Sequence, residues 1–247
     1  MIKLSNLLHY VNLIKNFSLI IIVQIIALTM CIPSLIMAVS WNELIHKDAI
    51  YLYAGSIRTK PVLADKKFIG VSPSKNDAKH IRHDITKPFL LYDNSIDIFQ
   101  AEDVFEHISY NKLLKTVNEI YRILKPGGFF RLSVPDYRCN VLIDRSIKDK
   151  EGNIVFDPGG GGKYVNGKVI EGGHLWFPKI ESVKKLLNQS HFYKYGKINY
   201  LHFYKTNGQS ITKRIDYSQC YVSRTPDHDD RVKKPYRAMS IVVDLYK

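Results

Sequence analysis

Between positions 95 and 134 the hydrophobic pattern changes period twice, and this limits the architectures open to the chain. Residues 95–100 (SIDIFQ) alternate as a strand does. Leu113, Leu114, Val117, Ile120, Tyr121 and Leu124 then recur at three- and four-residue steps, which draws one apolar stripe along a helix. Ser109 is its expected N-cap. Lys125–Pro126–Gly127–Gly128 ends it, because proline cannot continue a helix and glycine takes the left-handed cap. Residues 129–134 (FFRLSV) follow as a second strand and stop at Pro135–Asp136. Strand, helix and strand in this order predict a parallel sheet covered by helices. Further strands are expected at 50–54, 67–71, 197–204 and 239–246, with a second amphipathic helix over about 180–189. The fold class is therefore α/β, a doubly wound and mostly parallel sheet. Between 137 and 177 periodicity is lost and glycine is gained, so an irregular insert is expected there.

The N-terminus reads as a separate unit, 1–40, ahead of a domain at 41–247. No charged side chain occurs between Lys15 and Glu43, and residues 17–39 (FSLIIIVQIIALTMCIPSLIMAV) form a long apolar run interrupted by Gln24 and Pro33. About 20 helical residues cross a bilayer, so this N-terminal hydrophobic helix is expected as a membrane anchor. A cleaved signal ending at Ala38–Val39–Ser40, or a helix packed on the domain, are the other readings. Lys3 and Lys15 ahead of a span would place the domain outside the cytoplasm. A domain that uses a cytosolic cofactor would instead face the cytosol, and without a span the chain would be cytoplasmic.

At 45% hydrophobic and 24% charged residues, the 247-residue chain is no disordered tail, collagen-like fibre or multi-span membrane protein. Its three cysteines are far apart and odd in number, against a disulfide framework. The formal charge is +13, and loss of the two lysines before position 41 leaves +11. The lysines are spread along the chain with no RNA-binding motif, so no specific nucleic acid partner is expected.

Asp84, Pro88–Phe89, Asp93–Asn94–Ser95–Ile96–Asp97, Glu106–His107, the run from Arg122 to Gly128, and Pro135–Asp136 follow one another in a recognisable order. This succession resembles class I S-adenosylmethionine-dependent methyltransferases, in particular the methyltransferase type 11 domain. The segments EGGHLWFP (171–178) and RTPDHDDR (224–231) resemble a bacterial subgroup of predicted methyltransferases. The resemblance implies a Rossmann-like fold, S-adenosylmethionine as cofactor and methyl transfer to a small-molecule or saccharide acceptor.

In an open parallel sheet the ligand lies beyond the carboxyl ends of the strands. The resemblance then assigns cofactor contacts to Gly55, Ser56, Ser72, Asp84 and Ala101. Gly55 admits the methionine half of the cofactor, Ser72 stands at the ribose position, and Asp84 accepts from the adenine amino group. Glu106 and His107 fall near the transferred methyl as candidate catalytic groups, and His174 between glycines is a third. Asp136 and Trp176 are the expected acceptor contacts. Two departures stand out. The loop 52–58 (LYAGSIR) has one glycine and no acid, and Ser72 replaces the usual ribose-binding carboxylate. They support an alternative, a methyltransferase fold that binds a ligand without catalysis. No metal is expected: His228 has Asp227, Asp229 and Asp230 beside it, but no second cluster of recognisable spacing. The four glycines 159–162 lack the GK[ST] ending of a phosphate loop and read as a hinge.

Overall fold

The computed structural model describes residues 38–57 and 67–247. The expected anchor over 17–39 falls almost wholly outside them. Among the described residues no helix is long and apolar enough to cross a membrane. Val39 already belongs to the folded domain, its amide donating to the Asp77 carbonyl at 3.0 Å. Ser40 then opens a short helix α1 (Trp41–Leu44) with a reciprocal capping box to Glu43.

The central sheet holds eight strands. Five are parallel: β1 (Tyr51–Ala54), β2 (Ile69–Ser72), β3 (His80–Arg82), β4 (Ile96–Glu102) and β5 (Leu124–Pro135). Helix α2 (Tyr110–Ile123) makes the crossover from β4 to β5. After β5 come helix α3 (Asn140–Arg145) and two small hairpins, β6 (Ile147–Lys148) with β7 (Ile154–Phe156) and β8 (Lys163–Val165) with β9 (Lys168–Ile170). Helices α4 (Ile180–Leu187) and α5 (His191–Tyr195) lead into β10 (Lys197–Tyr204), β11 (Ser210–Thr212) and β12 (Ser240–Tyr246). The spatial order is β3-β2-β1-β4-β5-β12-β10-β11. Strand β12 runs antiparallel to both β5 and β10. The chain winds outward from β1 to β3 and then in the other direction from β4, so β1 and β4 flank the topological switch point.

Alternation along the strands sorts the two faces. Leu52, Ala54, Phe99, Ala101, Phe130, Leu132, Ile241 and Val243 point into the main core, which also takes Leu113, Val117 and Ile120 of α2 and Val183, Leu186 and Phe192 of α4 and α5. Each side chain fully buried this way stabilises by about 1.5–3 kcal/mol relative to exposure. The opposite face collects Tyr53, Ile57, Phe68 and Ile98 in one cluster and Leu201, Ile215, Val222 and Val242 in another. It also holds a buried ion pair. Arg131 grips both oxygens of Asp244 at 2.7 and 2.8 Å and donates to the Asp216 carbonyl at 2.8 Å, tying the segment after β11 across the sheet.

Two expectations shift, and one strand goes unforeseen. Strand β3 has only three residues, too few to show a period. Strand β4 runs to Glu102, two residues past the expected end. The insert is not irregular: it is built from α3 and the two hairpins.

Candidate functional site

A cavity of about 410 Å³ opens where β1 to β4 end. That is within the range of small-ligand pockets, roughly 300–1,000 Å³. Ala54 and Gly55 wall it from β1, Val71 and Pro73 from β2, Asp84 to Thr86 from the segment after β3, Val104 and His107 from the segment after β4, and Leu175 from the insert. Gly55 has φ +107°, a conformation that a side chain disfavours. The next two residues leave the cavity open. Ile57 turns into the opposite-face cluster, fully buried, with its amide on Nε2 of His80 at 3.2 Å. The Ser56 hydroxyl accepts from the Lys75 ammonium.

Asp84 stands on the wall with Oδ1 accepting from the Thr86 amide at 2.9 Å and hydroxyl at 2.8 Å. Partial burial works against its charge, but the Thr86 bonds outweigh it and hold the carboxyl below the usual range. Val71, Ile85, Val104 and Ile108 supply apolar walls on which a base could lie. Size, open glycine, apolar walls and a free carboxylate oxygen on Asp84 suit a nucleoside. The ribose position carries no acid: Ser72 is buried and its hydroxyl lies 3.3 Å from that of Ser74.

Behind one wall lies a chain of polar side chains. His107 Nδ1 is 2.6 Å from the Gly172 carbonyl. A carbonyl only accepts, so in the neutral ring Nδ1 carries the proton and Nε2 keeps a lone pair. His174 meets His107 edge to face, with ring centroids 4.7 Å apart. Its Nδ1 lies 2.5 Å from the Tyr137 hydroxyl, which donates to Asp157 Oδ2 at 2.6 Å. Tyr137 thus spends its proton on Asp157 and accepts from His174, so the lone pair of His174 is also on Nε2. That atom faces Glu106 Oε1 at 3.6 Å. Glu106 is fully buried and neither carboxylate oxygen has a hydrogen-bond partner.

The electrostatics follow from this burial. Desolvation, reinforced by the Asp103 carboxylate, drives Glu106 well above the usual carboxylate range, against its own backbone N–H and Arg224. Desolvation, then His107, pushes His174 down to about 3, so its ring is neutral at pH 7. Asp157 goes the other way: burial opposes its charge, but hydrogen bonds from Arg145, Tyr137 and the Gly159 amide keep it low.

Two backbone clamps bring the insert onto the segment after β4. The Leu175 amide donates to the Glu106 carbonyl at 2.7 Å, and the Trp176 indole to the Phe105 carbonyl at 2.9 Å. The glycine run is a packing surface and not a hinge. A Cβ on Gly160 would lie 2.5 Å from the His174 ring, and Gly159 presses on the Arg145 guanidinium in the same way. Trp176 and Tyr137 then border a second cavity of about 590 Å³, together with Phe177, Lys148 and Glu181. A larger hollow of about 930 Å³ lies elsewhere, lined by residues 212–217 with Asp227, His228 and Tyr236, away from the strand ends.

Of the expected contacts, Gly55, Asp84 and His107 line the first cavity and Trp176 the second. Glu106 and His174 join His107 in one cluster, with one ligating atom of each within 4.8 Å of the others. Ser56, Ser72 and Ala101 do not line the first cavity. Ala101 sits inside the longer β4, fully buried and paired with Ala54 and Leu132, and Val104 takes the wall position. Asp136, the expected acceptor contact, lines neither cavity. Its two oxygens accept from the Tyr204 amide at 2.8 Å and the Arg138 amide at 3.1 Å, which braces β10 against β5. Tyr137, Asp157 and Arg145 were not singled out from the sequence, although Asp157 heads the glycine run.

A family profile described as a methyltransferase domain matches residues 53–132, about a third of the chain. No curated protein matches. Solved structures that resemble this one include a possible histamine N-methyltransferase from Thermotoga maritima, with 15% identity, TM-score 0.47 and coverage of 83% of this chain and 84% of that one. A methyltransferase from Archaeoglobus fulgidus aligns at 13% identity and TM-score 0.44, covering 83% of this chain and 90% of its own. A putative methyltransferase from Listeria monocytogenes aligns at 15% and 0.44, covering 84% and 96%. At these scores the likenesses add nothing to what the strand order already shows.

Proposed function

We propose, from the premise that residues 53–132 belong to the class I S-adenosylmethionine-dependent methyltransferase family, that the chain moves a methyl group onto an oxygen or nitrogen of a small-molecule or saccharide acceptor. The observation that carries this reading is the pair of cavities joined by one side-chain chain. His107 is on the wall of the first, Tyr137 on the wall of the second, and His174 touches both. When bound, S-adenosylmethionine supplies a methyl already activated by its sulfonium. Gly55 would admit its methionine half, Asp84 Oδ2 would accept from its adenine, and Val71, Ile85 and Ile108 would hold the ring. The protein's own work is placement and proton removal. The Gly172 carbonyl fixes the His107 ring so that Nε2 is free to take a proton from the acceptor. Trp176 and Tyr137 give the acceptor groove aromatic walls of the kind a sugar face packs on, with Lys148 and Glu181 on its polar side.

The competing reading, ligand binding without transfer, is supported by Ser72 and by the hydroxyl of Ser56 resting on Lys75. One experiment separates them. Titration calorimetry with S-adenosylmethionine on the full chain should show binding that Gly55→Val removes. Labelled methyl should then pass to a saccharide or small-molecule pool. Binding without transfer favours the competitor, and no binding by the folded chain overturns methyl transfer.

A further inference from the structure

We propose that Glu106, His107 and His174 form a binding site for a divalent transition metal of the zinc class, set between the two cavities. The argument is one of unspent lone pairs. His107 Nε2 is unprotonated because Nδ1 serves the Gly172 carbonyl at 2.6 Å. His174 Nε2 is unprotonated because Nδ1 serves Tyr137 at 2.5 Å. Glu106 brings two buried oxygens without a hydrogen-bond partner. A carboxylate oxygen facing a bare imidazole nitrogen is unfavourable unless a proton on the acid or a cation lies among them, and an orphaned buried polar atom is costly. At 3.6 Å, Glu106 Oε1 and His174 Nε2 are too far apart to share a proton in a hydrogen bond. They are close to the separation a cation sets, since zinc bonds of about 2.0–2.2 Å in a tetrahedron put ligand atoms about 3.4 Å apart. All three ligating atoms lie within 4.8 Å of one another, a spread that contraction onto the metal would close.

The surroundings are those of a ligand set as well. Each histidine has its far nitrogen fixed by an oxygen, one carbonyl and one tyrosine that leads on to Asp157 and Arg145, which is how metal-bound imidazoles are oriented. Two histidines and one glutamate leave a coordination position open for a substrate oxygen. The site itself does not depend on methyl transfer. Only its use rests on that reading: with zinc bound, His107 Nε2 would be a ligand and no longer the base, and the metal would acidify the acceptor hydroxyl in its place.

The test is zinc uptake by the full chain after chelation and dialysis. One equivalent of Zn²⁺ should bind without S-adenosylmethionine, and Co²⁺ in its place should give the visible bands of a low-coordinate N/O site. His174→Ala and Glu106→Gln should abolish uptake. Tyr137→Phe, which removes only the oxygen behind His174, should weaken it by about 10–100-fold. His228→Ala should leave it intact. Should the buried variants fail to fold, His107→Ala at the cavity wall decides, with folding followed by circular dichroism. No stoichiometric uptake by the folded wild type, or uptake undiminished in His107→Ala, overturns the proposal. S-adenosylmethionine titrated into the same samples keeps the two ideas apart: cofactor binding without zinc sinks the metal alone, and zinc binding without cofactor sinks methyl transfer alone.

Discussion

His174 and His228 each sit beside an acid and a tyrosine, yet their surroundings are opposite. Around His228 the carboxylate is fully spent. Its Nδ1 lies 2.8 Å from the Val222 carbonyl, and the two oxygens of Asp227 accept from Tyr217 at 2.7 Å and Tyr236 at 2.6 Å. Burial opposes the Asp227 charge, but those tyrosines outweigh it and hold the carboxyl low. Around His174 it is not: Glu106 has no donor and faces a bare imidazole nitrogen. One cluster uses its polar atoms to fasten the segment after β11, while the other leaves them facing one another at 3.6 Å. The same residue types in the same company therefore differ in whether the carboxylate has donors. The discriminating quantity is unmet hydrogen-bonding capacity, and not composition.

The largest effect should fall on turnover. His107→Ala or His174→Ala should cut methyl transfer by about 10²–10⁴-fold, the usual share of a positioned proton-transfer group. His228→Ala should leave the rate where it was and show only in thermal unfolding. Equal losses from His174→Ala and His228→Ala would dissolve the contrast.

Asp136 tests an intermediate case, a buried carboxylate that has two amide donors and still titrates high. Burial outweighs the Tyr204 and Arg138 amides and lifts its pKa from 3.8 to about 6. A native pKa above the unfolded one means the folded state holds the proton more tightly. The stabilisation is thus complete below about pH 4 and is lost as pH rises through 6. A shift of this size is worth on the order of 3 kcal/mol. The wild type should lose that much relative to Asp136→Asn between pH 4 and pH 7, measured by denaturant unfolding. Parallel pH curves for the two proteins would mean that the amides win and that Asp136 is charged in the fold.

The architecture was legible in the sequence where the pattern is long. The stripe from Leu113 to Tyr121 lies on α2 and the strand at 129–134 lies in β5, in the crossover they implied, although Leu124 and the expected helix stop at 125–128 open β5 instead. Gly55 could be placed on the cavity wall because it directly follows β1, whereas Asp84 and His107 were placed by the family resemblance, and all three line the cavity. Ala101 could not, since nothing in DIFQAED marks where pairing stops, and two more ladder residues moved the wall to Val104. Asp136 was misjudged because its role depends on the amide of Tyr204, 68 residues away. The meeting of Glu106 with His174 was equally hidden. Both motifs stood out singly, but what joins them is a pair of backbone clamps at Leu175 and Trp176, and such bonds leave no periodic trace. Four consecutive glycines read as looseness from composition alone. In the fold their meaning is spatial, and it differs from one glycine to the next.

That difference gives the smallest and most local test. Gly161 has φ +76° and nothing within 4 Å of where a Cβ would stand, so its requirement is purely conformational. Gly160 has no positive φ, and its requirement is room for the His174 ring, 2.5 Å from that Cβ position. Gly161→Ala should cost about 1–2 kcal/mol of backbone strain. At about 2–4 °C per kcal/mol for a chain of this size, that is a drop of a few degrees in melting temperature, with methyl transfer per folded molecule unchanged. Gly160→Ala should cost a comparable amount through overpacking. It should also displace His174 and so lower turnover. The two variants separate the two demands a glycine can meet, with melting temperature as the common readout and turnover as the discriminating one. If both lose turnover equally, His174 is not positioned by Gly160 and the open cluster is set by some other contact. If neither does, the ring has room to move, and the unmet lone pairs of His174 and Glu106 are free to part without chemical consequence.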